Sequence, residues 1–388
     1  MDKNHLSIIN SKLMISANVC SKLGNSIFDI VNKLTISRIF PNSLIYLAWY
    51  ATAESIVGTV FNLGAGFVVD KVSRKKLLIS LEIMSGLICL LGIYSLKIFP
   101  TFEVMFGVNI LLAVIYTIAL PGFNALAKEC ISNDFMKRHL SNAVVFREIV
   151  SVTSPIFAGY LFNSYCLEIV YLLNALTFFF SAIFLRNLII IDKANVEKKN
   201  FVEHLKNGYI FVSYNNLLRD LLIIIALVNF ILCSYNISIP YFGNLYNDSQ
   251  YYSYILFFQS LGAILASMIN KRKSLKIEQH LFYLGISMIL IYICFLLNTF
   301  LILNLVLFML IGYHLSLFNI SFFNSVQTSV PSEYSGRVFS LIFLISTLFI
   351  PLGNILFGIL INSYIREGLL ISGIGLLLIY YIYFKIFK

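Results

Sequence analysis

Asp29 and Lys33 stand four residues apart in a largely apolar stretch, a spacing that brings an acid and a base together on one side of a helix. A charge inside a bilayer costs at least about 2.5 to 3.5 kcal/mol on insertion scales, so such groups face a partner or a water-filled cavity. Lys22, Asn25, Ser26 and Asn32 recur with them at steps of three or four and extend the pair into a polar helix face. That face is expected to line a central cavity, with Asp29 binding a proton or a substrate cation and Lys33, Asn25 and Asn32 beside it. The alternative left open is an ion pair that only stabilises the helix.

Other ionisable residues sit in apolar surroundings. Glu54 lies sixteen residues before Asp70, about 24 Å along a helix, and reads as an outer-gate acid or an exposed interfacial carboxylate. Glu82, Arg147 and Glu148 are placed to join Asp70 and Arg74 in a charge network near the inner surface. The imidazole of His314 ordinarily titrates near neutral pH, which makes it a coupling candidate or a simply hydrogen-bonded group. The chemistry available is proton and cation binding. No HExxH, Cys/His dyad, catalytically spaced carboxylate pair or GxxxxGK[ST] loop is present, so neither an enzyme nor an ATPase is expected. The six cysteines, Cys20, Cys89, Cys130, Cys166, Cys233 and Cys294, are scattered and suggest neither disulfides nor a metal site, and no cofactor is expected.

The elements that position these groups must be membrane helices. Of 388 residues, 59% are hydrophobic and 12% charged, and the mean hydropathy is +0.86, outside the range of soluble domains. Twelve apolar segments approach the ~20 residues that cross a ~30 Å hydrocarbon core: 14–37, 43–69, 77–98, 101–127, 141–163, 167–190, 220–246, 250–270, 277–297, 300–325, 335–363 and 367–386. The expected fold is an all-α membrane protein of twelve transmembrane helices in two six-helix bundles. These are 1–190 and 220–388, joined by a polar linker at 191–219 in which Phe201, Leu205, Tyr209 and Val212 suggest a short amphipathic helix. The N-terminal residues lack the pattern of a cleavable signal.

The net charge of +10 is spread in short clusters between apolar spans, which argues against nucleic acid as a partner. With the N-terminus in the cytoplasm, only Arg38, Lys97 and Arg366 fall outside and Lys22, Lys33 and Arg147 within spans, leaving 22 of 28 basic residues at the inner side. The positive-inside rule therefore predicts both termini in the cytoplasm. The abundance of Ile, Lys, Asn and Phe points to an AT-rich bacterial genome, hence to a multi-pass protein of the bacterial plasma membrane.

The stretch "GAGFVVDKVSRKK" (64–76) carries Gly66, Asp70 and Arg74 between the second and third spans. It resembles the loop signature of the major facilitator superfamily, with Ser73 replacing the second glycine. The resemblance implies that Gly66, Asp70 and Arg74 belong to a cytoplasmic gate. In the second half "GAILASMINKRK" (262–273) keeps Gly262 but has Asn270 for the acid. Residues 120–162 and "VPSEYSGRVFSL" (330–341), with Gly336 and Arg337 assigned to the gate, look like macrolide-efflux and siderophore-export facilitators. Pro155 and Gly159 match part of the antiporter motif GPxxGG, a helix-packing element, with Ser154 and Tyr160 replacing glycines.

The function so implied is a secondary active transporter, a monomer. It exports a small amphipathic compound of the drug, antibiotic or siderophore class by proton antiport with alternating access. Its drug-resistance role would draw on the proton gradient. Import of a nutrient or metal chelate is the first alternative, and a non-transporting peptide-binding receptor or immunity protein the second.

Overall fold

The computed structural model describes residues 3–40, 43–99, 101–164, 166–191, 209–242, 250–269, 277–297, 301–330, 335–362 and 365–386. For Gly66, Asp70, Gly336 and Arg337 the description is confined to the backbone, which is helical. Most of the expected linker, residues 192–208, lies outside the described residues.

Within this set the regular structure is helical. The elements are α1 (Lys3–Ile39), α2 (Ser43–Lys71), α3 (Arg74–Ile98), α4 (Phe102–Cys130), α5 (Asn133–Ser164) and α6 (Leu167–Arg186). Then follow α7 (Asn216–Ser238), α8 (Tyr251–Ile269), α9 (Ile277–Leu296), α10 (Leu301–Ser329), α11 (Ser335–Leu348), α12 (Ile350–Leu360) and α13 (Glu367–Ile386). Among the described residues nine helical stretches are long and apolar enough to cross a bilayer, one of them, Leu341–Leu360, running through α11 and α12. Large apolar side chains are left exposed in stripes: Ile83, Leu87, Leu91 and Tyr94 on α3, and Leu173, Leu176, Phe180 and Ile183 on α6. Such stripes are what lipid tails cover.

Several helices outrun the apolar segments that announce them. The first apolar segment spans 14–37, yet α1 begins at Lys3 and has 37 residues, about 55 Å in length. α5 begins at Asn133, where the apolar segment begins at 141. Hydropathy marks only the part of a helix that meets hydrocarbon, and the polar turns beyond it continue the same backbone hydrogen bonding. The segment expected at 335–363 is two helices, α11 and α12, parted at Phe349. Pro351 stands in the first turn of α12, where its missing N–H is tolerated.

The chain divides into two compact units. Unit 1 comprises 1–36 and 56–198, and unit 2 comprises 37–55 and 199–388. In unit 1, α3 packs on both α4 and α6. A Cβ on Gly86 would meet the Phe179 ring at 2.7 Å and one on Gly92 the Tyr171 ring at 2.9 Å, so these glycines seat α6 aromatics on α3. In unit 2 the approach is closer still. A Cβ on Gly262 of α8 would lie 2.0 Å from the Met309 carbonyl oxygen, and one on Gly312 of α10 would lie 2.0 Å from that of Gln259. Small residues that let backbones touch are the usual cement of membrane helices, where lipid removes the hydrophobic drive to associate. Hydroxyls add to it: Ser234 of α7 and Ser372 of α13 share a 2.5 Å hydrogen bond.

Candidate functional site

At the end of unit 1 that holds the α2–α3 turn, polar groups from five segments meet. Arg74, in the first turn of α3, donates from Nη1 to Glu129 Oε1 at 2.7 Å, and the two side chains are only 9% and 13% exposed. Glu129 lies in the last turn of α4, and its own carbonyl accepts from the Ile191 N–H at 2.9 Å. Asn10, in the polar start of α1, donates from its amide to the Cys130 and Ile189 carbonyls at 2.8 and 2.7 Å and accepts from the Ile189 N–H at 3.0 Å. Ser7 bonds Ser132, Ser11 bonds His139 Nδ1 at 3.0 Å, and Lys75 donates to the Leu188 carbonyl at 2.8 Å. One asparagine thus satisfies the last carbonyl of α4, a group that a helix terminus otherwise leaves open, and both backbone groups of Ile189 beyond α6.

Neither Asn10 nor Glu129 was singled out by sequence reasoning. Glu129 ends an apolar run in "ALAKEC" and Asn10 precedes the first apolar segment, so both read as surface residues. The signal that was available is the basic residue Arg74 beside a helix end, which calls for an acid.

Ser73, standing where the resemblance expects glycine, is the residue before α3 and has φ −56°. A serine is unstrained at that angle. The turn does not need glycine there.

The charges expected to form one network are divided among several partners. Arg74 is bonded to Glu129 as above. Glu82 is 3% exposed and both of its oxygens accept from Ser21 of α1, at 3.2 and 3.1 Å. Arg147 is exposed, Glu148 is half-buried, and both lie within electrostatic reach of Lys22. Asp70, like Gly66, Gly336 and Arg337, has its side-chain environment outside the described residues. Pro155 and Gly159 are buried within a continuous α5.

On α1 the expected single polar face is two stripes. Lys22, Ser26, Asp29 and Lys33 follow one line. Asn25 and Asn32 follow another that turns into unit 1: Asn25 Oδ1 accepts from the Asn174 amide at 3.5 Å and Asn32, 0% exposed, accepts from the Tyr171 hydroxyl at 3.4 Å. Positions 25 and 29 differ by one helical turn plus about 40°, and that offset separates a helix-packing stripe from an accessible one. Lys33 Nζ donates to Asp29 Oδ2 at 2.6 Å, with the side chains 23% and 34% exposed. Asp29 Oδ1 is buried and has no hydrogen-bond partner among the described residues.

Two other candidates lie in unit 2. Glu54 is exposed on α2. His314 of α10 stacks on Tyr283 of α9 at 5.1 Å and lies 5.9 Å from the ring of buried His280, with its Nδ1 buried and unbonded among the described residues. Among the described residues no three His, Cys, Asp or Glu side chains cluster as a metal site would require.

The chain is similar to known transporters along most of its length. It is 25% identical over 336 residues to the uncharacterized MFS-type transporter YfiS of Bacillus subtilis (strain 168), covering 81% of this chain and 79% of that protein. Its fold is similar to the nucleoside transporter NupG (TM-score 0.73, 15% identity, 99% of each chain). It is also similar to a bacterial homologue of the iron transporter ferroportin in an inward-facing state (TM-score 0.71, 16% identity, 97% and 98% of the two chains), and to a D-xylose-proton symporter (TM-score 0.71, 10% identity, 98% and 96%). Residues 14–354 match the Major Facilitator Superfamily model, so the all-helical chain belongs to that superfamily and is a transporter of the membrane, not an enzyme.

Proposed function

We propose that the protein is a proton-driven secondary exporter of small amphipathic compounds of the drug, antibiotic or siderophore class, working by alternating access. The observation that carries this is Asp29. One of its oxygens is held by Lys33, while the other is buried and open to accept a proton or a substrate cation. A carboxylate tied to one ammonium changes its net charge on protonation, and Lys33 is then released to move or to rebind. The motif-bearing stretches 120–162 and 330–341 support the exporter assignment over other members of the superfamily.

The test is expression in a pump-deficient bacterial host challenged with a panel of toxic amphipathic compounds, followed by transport of the protected compound in inverted vesicles. Protection that disappears on collapsing the proton gradient and in Asp29→Asn is expected. Transport indifferent to the gradient removes the coupling. A second reading, import, draws on the similarity in fold to a D-xylose-proton symporter; accumulation of a labelled compound by intact cells, in place of its extrusion, would favour it.

A further inference from the structure

Among the described residues Glu82 has no counter-charge, and that sets it apart from Asp29 and Glu129. It lies eight residues into α3, about 12 Å from Arg74, and it is almost wholly enclosed. The cations of unit 1 whose partners are described are engaged elsewhere: Lys33 with Asp29, Arg74 with Glu129 and Lys75 with the Leu188 carbonyl. Lys22 lies within electrostatic reach of Arg147 and Glu148. The Ser21 hydroxyl of α1 bonds the Glu82 carboxyl, the Cys20 thiol of α1 lies within electrostatic reach of it, and the Ser181 hydroxyl of α6 is close by. From α4, Ile115 and Ala119 enter the apolar cluster that holds Leu78 and Leu81.

The hydrogen bonds available decide which form of the carboxyl fits. A serine hydroxyl carries one proton, so Ser21 satisfies one Glu82 oxygen at a time although both are near it. Ser181 Oγ is buried beside the same carboxyl, with no hydrogen bond of standard geometry to the described residues. An ionised Glu82 would sit in a span with neutral hydroxyls alone to replace water, a cost that buried charges avoid by pairing or by taking up a proton. A carboxylic acid fits: its carbonyl oxygen accepts from Ser21, its O–H is left to turn to the unbonded Ser181 Oγ, and no charge is buried.

We propose that Glu82 is a proton-binding site inside unit 1, neutral while Ser21 of α1 and Ser181 of α6 enclose it. Withdrawing α1 from α3 breaks the Ser21 bond and admits water; the Glu82 O–H bond then breaks, the proton leaves on water, and the carboxylate remains until it is reprotonated. The bearing of this on transport rests on the proton-driven reading above, whereas the site itself does not.

Infrared spectroscopy of the full chain in liposomes at neutral pH tests it without a substrate. A protonated-carboxyl C=O band is expected that is lost in Glu82→Gln, kept in Asp29→Asn and shifted in frequency in Ser21→Ala. A carboxyl region unchanged by both Glu82→Gln and Ser21→Ala overturns the proposal. If Glu82→Gln fails to fold, the Ser21→Ala shift decides, since that variant retains the carboxyl. Transport that ignores the proton gradient while the band behaves as expected would sink the exporter's coupling and leave the Glu82 site supported.

Discussion

Arg74 of α3 and Glu129 of α4 form a 2.7 Å ion pair with both side chains largely enclosed, and the Glu129 backbone also holds the segment that leaves α6. A charge pair at the mouth of a helix bundle ties three elements to one point, so its loss is felt beyond the two residues. Breaking an enclosed pair by removing one partner costs about 3 kcal/mol or more, because the remaining charge is left buried. Glu129→Ala is expected to lower thermal stability in detergent markedly and to reduce transport. Glu129→Gln should lose about half as much, since its amide oxygen still accepts from Arg74. Stability of Glu129→Ala equal to that of the unmodified chain would remove the pair's structural role.

Asn10 should behave as a clamp. It makes three hydrogen bonds to backbone groups of the Cys130 and Ile189 regions. Asn10→Ala leaves buried backbone groups unbonded at about 1 to 3 kcal/mol in all, and Asn10→Asp fails to rescue it, having no N–H to donate. Thermal unfolding followed by intrinsic fluorescence or light scattering would measure both.

The glycine crossing of α8 and α10 tolerates no side chain. Gly262→Ala and Gly312→Ala each place a carbon 2.0 Å from a carbonyl oxygen of the facing helix, and the helices must part. Overpacking of this kind costs about 1 to 3 kcal/mol, so reduced yield of folded protein is expected. Gly107→Ala, with nothing within 4 Å of its new carbon, serves as the comparison and should be neutral or stabilising by up to about 1 kcal/mol.

The two stripes of α1 should separate by phenotype. Asn32→Ala removes a buried partner of Tyr171 and is expected to lower stability by about 1 to 2 kcal/mol. Asp29→Asn leaves the helix packing alone and should abolish proton-driven transport with a near-normal melting temperature. Equal loss of stability in both variants would place Asp29 in the packing of unit 1.

Sequence alone determined that the chain is a helical membrane protein, because apolar segments of bilayer length follow one another and hydrocarbon leaves a helix little alternative for satisfying its backbone. The motif around Asp70 and Arg74 pointed to the superfamily that residues 14–354 confirm. Asp29 and Lys33 were legible as a pair because their four-residue spacing is local. What sequence did not decide was anything set by the angle of one helix about its axis. Asn25 and Asn32 were grouped with Asp29, but α6 lies against their side of α1 and claims them. Glu82 was grouped with Arg74, but Arg74 reaches Glu129, fifty-five residues away, and Glu82 faces Ser21. Spacing fixes which residues share a stripe; only packed neighbours fix which stripe meets lipid, water or another helix.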